Sequence, residues 1–113
     1  MRLGDKEYRI RGVVTEEETG RGIPNLIVRA FDKDIAFDDK LGSATTDPGG
    51  RFEISFDEAA FKDVFESKPD LYLQVFDSSG QRLLLETSDS VRRNASQKEF
   101  YSLQIPTSQL KLI

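Results

Sequence analysis

The stretch from Gly20 to Phe56 constrains the fold more than any other part of the chain. Apolar and polar residues alternate through Leu26-Ile27-Val28-Arg29-Ala30-Phe31, an acidic stretch follows, and Asp47-Pro48-Gly49-Gly50 leads into a second alternation at Phe52, Ile54 and Phe56. Alternation with a period of two is the mark of a half-buried strand. In the tetrad, proline presets φ at the second position of a tight turn and glycine accepts the positive φ that follows it. Strand, acidic loop, short strand, tight turn and strand in this order predict antiparallel β-structure.

The rest of the chain repeats the pattern. Alternation and turn signals predict strands over residues 8–14, 26–31, 42–46, 52–56, 71–75, 81–87 and 99–105. Residues 57–67 break the period: Asp57 is suited to cap a helix, Ala60, Phe61, Val64 and Phe65 recur at helical spacing, and Lys68-Pro69 ends it. The expectation is an all-β, seven-stranded antiparallel β-sandwich with one short helix near residues 57–67. Its 113 residues make one domain, residues 1–113, with a core over about 8–105 and loose ends. A chain of this size buries roughly two-thirds of its unfolded surface, enough for a core without staples.

Composition removes several chemistries. There is no Cys and no His, so disulfides, thiolate sites, imidazole bases and Ser-His triads are excluded. Any bound metal would need oxygen ligands. The net charge is −4, with both signs interspersed, which argues against nucleic acid as a partner. No window approaches the roughly 20 apolar residues of a membrane span. The segment Met1 to Lys6 has no apolar signal core, so a full-length chain would be expected in the cytoplasm.

Two groups of residues stand out as candidate sites. Asp32, Asp34, Asp38 and Asp39 lie in one short stretch, with Asp47, Asp77 and Asp89 as further carboxylates. Convergent aspartates suit Ca²⁺, which takes six to eight oxygens. The other reading is a solvated loop whose side chains cap local turns. The second group is Phe31, Tyr72 and Phe76, which alternate out of phase with the core residues Ala30, Leu73 and Val75. They either pack beneath the helix through Phe61 and Phe65 or form an apolar patch for a protein partner or self-association. Glu16-Glu17-Glu18 and Arg92-Arg93 read as solvated loop residues.

Ile10-x-Gly12-x-Val14, Gly22-Ile23-Pro24-Asn25-Leu26-x-Val28-x-Ala30, Thr46-Asp47-x-x-Gly50-x-Phe52 and Pro69-Asp70-Leu71-Tyr72-Leu73-x-Val75-x-Asp77-x-x-Gly80 follow in order. Together they resemble the transthyretin-like, carboxypeptidase regulatory-like β-sandwich superfamily over about residues 8–105. The resemblance implies a prealbumin-like Greek-key sandwich. Hydroxyisourate hydrolases of that fold use histidines and a C-terminal Tyr-Arg-Gly-Ser, and intradiol dioxygenases bind iron through two Tyr and two His. Without His, and ending Gln109-Leu110-Lys111-Leu112-Ile113, this chain matches neither. The expectation is therefore no enzyme and no cofactor. It is a binding or structural module within a larger protein or assembly, acting through protein–protein contacts. The alternative is a calcium-dependent adhesion or surface-binding module, since the acidic spacing resembles one loop of calcium-dependent phospholipid-binding sandwich domains. A divergent small hydrolase is the third.

Overall fold

The computed structural model describes residues 7–35, 37–61 and 68–110. Seven strands run as β1 (Glu7–Glu16), β2 (Ile27–Asp32), β3 (Asp39–Thr45), β4 (Arg51–Asp57), β5 (Leu71–Phe76), β6 (Leu83–Glu86) and β7 (Lys98–Ile105), followed by a one-turn helix α1 (Thr107–Leu110). They form two sheets, ordered β4-β1-β7 and β3-β2-β5-β6. The chain changes sheet at β1–β2, β3–β4, β4–β5 and β6–β7, so the two sheets close over one core as an all-β sandwich.

Alternation assigns the core. Ile10 and Val14 of β1, Val28 and Ala30 of β2, Ile54 of β4, Leu71, Leu73 and Val75 of β5 and Ile105 of β7 face the other sheet and are almost fully buried. Removing this apolar area from water is the main stabilising term, at about 25 cal/mol per Å².

The Thr46–Phe52 motif has a clear structural role. Thr46 Oγ1 donates to the Ile23 carbonyl at 2.6 Å and accepts from Leu26 N–H at 3.0 Å, pinning the entry to β2 beside β3. Asp47 Oδ1 accepts from Gly49 and Arg51 N–H at 2.9 and 2.8 Å, closing the turn into β4. Gly50 sits at φ +81°, and a Cβ there would run into the Val14 carbonyl. Glycine is needed for both reasons.

Two expectations are corrected, and a third is met in part. The sandwich is not wholly antiparallel: β1 pairs with β4 antiparallel but with β7 parallel, Arg11 opposite Phe100 and Val13 opposite Ser102. A parallel pair needs a crossover rather than a hairpin, and side-chain alternation reads the same in either direction. The predicted helix over 57–67 is, within the described residues, a 3-10 turn at Glu58–Ala60 capped by Asp57, whose Oδ1 accepts from Ala59 N–H at 2.9 Å. Residues 62–67, including Phe65, lie outside the described residues. Phe61 does not cover Phe31 and Tyr72. It plugs the end of the core, edge-on to Tyr8 at 5.3 Å and to Phe56 at 6.1 Å.

The segment after β7 is ordered through Leu110 rather than loose. Pro106 stands just before α1, where its missing N–H leaves no helical bond unmade, and its carbonyl accepts from Gln109 N–H at 2.9 Å. Thr107 Oγ1 donates to Glu16 Oε2 at 2.7 Å, and Arg82 Nη2 donates to the Gln109 carbonyl at 2.6 Å. Glu16 is thus an anchor at the end of β1, not a solvated turn residue.

Candidate binding face

The acidic stretch does not converge. Asp32 ends β2 on the inward parity and is fully buried. Its Oδ1 accepts from Asp70 N–H at 2.8 Å, and Lys33 N–H donates to the Asp70 carbonyl at 2.8 Å, so it joins the end of β2 to the segment entering β5. Asp34 Oδ1 accepts from Ile35 N–H at 2.6 Å. Asp38 accepts from Asp34 N–H at 3.0 Å and from the Tyr72 hydroxyl at 2.5 Å. Those two bonds hold the Asp38 carboxyl below its ordinary range. Asp39 opens β3 opposite Asp32 in the ladder and is exposed. Asp77 caps its own turn, accepting from Ser79 and Arg82. Among the described residues, no three His, Cys, Asp or Glu side chains are grouped to hold a metal ion. Asp32 is an anchor because β2 runs one residue further than alternation alone predicts, and Asp34, Asp38 and Asp77 serve their local turns.

Phe31, Tyr72 and Phe76 occupy the outer face of the four-stranded sheet, as their phase predicts. They do not form an open apolar patch. Tyr72 is only 5% exposed, stacked on Phe31 at 5.3 Å, and Phe76 lies under the Arg29 guanidinium at 4.3 Å. Burial, then the hydrogen bond to Asp38, pushes the Tyr72 hydroxyl well above the usual phenol range.

The outer face of β4-β1-β7 is the more open surface. Alternation places Arg9, Arg11 and Val13 of β1, Arg51 and Glu53 of β4, and Lys98, Phe100 and Ser102 of β7 on it. Phe100 is 60% exposed, a large aromatic ring on a strand with no sheet neighbour beyond it. Arg11 Nε donates to Glu53 Oε1 at 2.7 Å, and Arg9 stands 3.8 Å from the same oxygen. Two shallow depressions of about 440 and 590 Å³ flank the Arg11–Phe100 ridge, the first lined by Arg9, Arg11, Lys98, Glu99 and Phe100. Over the centre of this face Arg9, Arg11, Arg51 and Lys98 oppose Glu53, with Glu7 and Asp57 at the far end. A cationic, aromatic surface stands out on a chain of net charge −4.

The edge of β7 is partly capped. On the side facing β1, Arg9 N–H donates to the Gln97 carbonyl at 2.7 Å and Glu17 N–H to the Ile105 carbonyl at 2.9 Å, which extends the ladder at both ends. In this parallel register the odd-numbered residues of β7 bond to β1, so the N–H and C=O of Lys98, Phe100, Ser102 and Gln104 point to the open edge. The Lys98 carbonyl takes the Ser96 hydroxyl at 2.7 Å, and the Phe100 carbonyl takes Arg92 Nη1 at 2.8 Å. Arg92 also pairs with Glu99 at 2.9 Å and lies 3.7 Å over the Tyr101 ring. It is therefore not a solvated loop residue; Arg93 is exposed and bonds Asp70 at 3.1 Å. Burial pushes the Tyr101 hydroxyl up to about 12. Burial also raises the Glu99 carboxyl, but bonds from Ser96 and Arg92 outweigh it and hold the group below its usual range.

Sequence reasoning did not single out Arg9, Arg11, Lys98 or Phe100. The signal was present in the phase of β7, where Tyr101, Leu103 and Ile105 are buried and Phe100 falls on the opposite parity.

Among the described residues, no helix is long and apolar enough to cross a membrane. No protein-family model matches the chain, and no curated protein matches it. Among solved structures it is similar to a 9R-lipoxygenase from Cyanothece PCC8801, at 27% identity and a TM-score of 0.62; the match covers 90% of this chain and 16% of that one.

Proposed function

We propose that this chain is a non-catalytic binding module of the transthyretin-like class, working inside a larger protein or assembly through the outer face of β4-β1-β7. The observation that carries the reading is Phe100, exposed on an edge strand and flanked by Arg9, Arg11 and Lys98. Aromatic residues, Phe among them, and arginine are enriched at the cores of protein interfaces. A fold that matches a small fraction of a much larger protein supports a modular role. The absence of His and Cys supports the non-catalytic part. An array of immobilised twelve-residue peptides, overlaid with the labelled chain, tests the reading. It predicts ligands that wild type binds and Phe100→Ser does not, at equal thermal stability. An array without ligands, together with turnover in a panel of ester and peptide substrates, overturns it.

A further inference from the structure

We propose that the open edge of β7 takes an extended, acidic segment of a partner protein as an added strand, an inference that rests on the binding-module reading above. The main chain supplies the first argument. From Phe100 N–H through Gln104, the outward backbone groups of β7 form a template; among the described residues, those of Ser102 and Gln104 have no partner. Upstream, Arg92 and Ser96 occupy the Phe100 and Lys98 carbonyls, which limits the template to its second half and fixes where the added strand begins. Donors and acceptors spaced along a strand edge take a short extended peptide through main-chain bonds.

The side chains supply the second argument. A strand added beside β7 lies roughly 4.8 Å away, and alternate side chains of it share the outer face with Lys98 and Phe100. There the first of them meets the Phe100 ring with Arg11 behind it, and Arg9 and Lys98 stand one register step beyond the start of the added strand, within reach of a long side chain. Carboxylates on that parity are complementary and cations are not. The same charge disfavours a second copy of this chain as the occupant, since β7 against β7 would join two cationic faces in one sheet.

The test uses the ¹⁵N-labelled chain and two capped octapeptides, alternating Glu-Val and alternating Lys-Val. The expected result is that Glu-Val shifts the amides of Phe100, Ser102 and Gln104, slows hydrogen exchange at Ser102 and Gln104, and binds at least tenfold more tightly than Lys-Val, with weakening by salt. Ser102→Pro deletes an outward N–H without touching the ladder to β1, and is expected to abolish binding. Lys98→Glu, which leaves the backbone alone, is expected to weaken it tenfold. Equal affinity for the two peptides, or perturbed amides confined to β3 or β6, would overturn strand addition while leaving a binding module in place. Shifts at the same amides that grow with protein concentration and no peptide would assign the edge to a second copy and overturn the proposal. An empty peptide array would remove the broader reading instead.

Discussion

Tyr72 on β5 donates its phenolic hydrogen to Asp38 Oδ2 at 2.5 Å, which ties the β2–β3 loop to the outer face of the four-stranded sheet. The donor is buried and the acceptor carboxylate reaches solvent. A hydrogen bond to a charged group is worth about 1.5–3 kcal/mol, and solvation of Asp38 puts this one near the low end. Tyr72→Phe is expected to lower stability by about 1.5 kcal/mol in urea unfolding, and to speed hydrogen exchange at Asp34 N–H, which shares Asp38. An unchanged midpoint and an unchanged exchange rate would show that the bond does not hold the loop.

Stability should fall at both ends of the pH range. The Asp38 and Glu99 carboxyls titrate lower in the folded chain than in the unfolded one. Their contribution is complete above the unfolded values and is lost as pH falls through the folded ones, so stability declines on the acid side. The Tyr101 hydroxyl is raised to about 12 from 10.0. Its contribution is complete below pH 10 and is lost between there and about 12, because the unfolded chain gives up that proton first. Urea midpoints across pH should show both limbs, and Tyr101→Phe should reduce the alkaline one, leaving the part that the raised Tyr72 hydroxyl supplies.

Calcium is expected to leave the midpoint unchanged. Asp32 faces the core and Asp38 holds Tyr72, so neither is aimed at a shared site. Asp32→Ala is expected to cost about 2 kcal/mol through the loss of its buried bond to Asp70, equally in EDTA and in millimolar calcium. Asp34→Asn should be near neutral. A calcium-dependent rise in Tm, lost in both variants, would contradict this assignment.

Gly50→Ala should destabilise by more than about 2 kcal/mol, since it combines positive φ with a backbone collision at Val14. Gly12→Ala should also be costly, because its Cβ would come within 2.5 Å of the Phe52 ring and 2.6 Å of the Tyr101 carbonyl. Thermal melts of the two variants check both. A loss smaller than about 0.5 kcal/mol (half of the smallest strain cost) would mean that the turn and the sheet adjust freely.

Much of the sandwich was legible because alternation is a local signal. Ile10, Val28, Ile54, Leu73 and Val75 announce their faces, and Asp47-Pro48-Gly49-Gly50 announces its turn. The parallel pairing of β1 with β7 was not legible, because side-chain phase carries no information about strand direction. The place of Asp32 was not legible for a related reason. One further residue of β2 turns Asp32 inward, where it accepts from the backbone of Asp70. Phe31, Tyr72 and Phe76 were placed on the right face, but their cover of stacking and cation–π contacts is tertiary. The cationic face around Phe100 draws Arg9 and Arg11 from one end of the chain and Lys98 from the other, and strand pairing alone brings them together.

The most direct measurement is the affinity of the best array-selected peptide for three proteins: wild type, the double variant Arg11→Glu/Phe100→Ser, and Tyr72→Phe on the opposite sheet. The account predicts at least a tenfold loss in the double variant, with its midpoint within about 1 kcal/mol of wild type, and no change in Tyr72→Phe beyond its stability cost. Full affinity in the double variant, or a loss confined to Tyr72→Phe, would place binding elsewhere and contradict it.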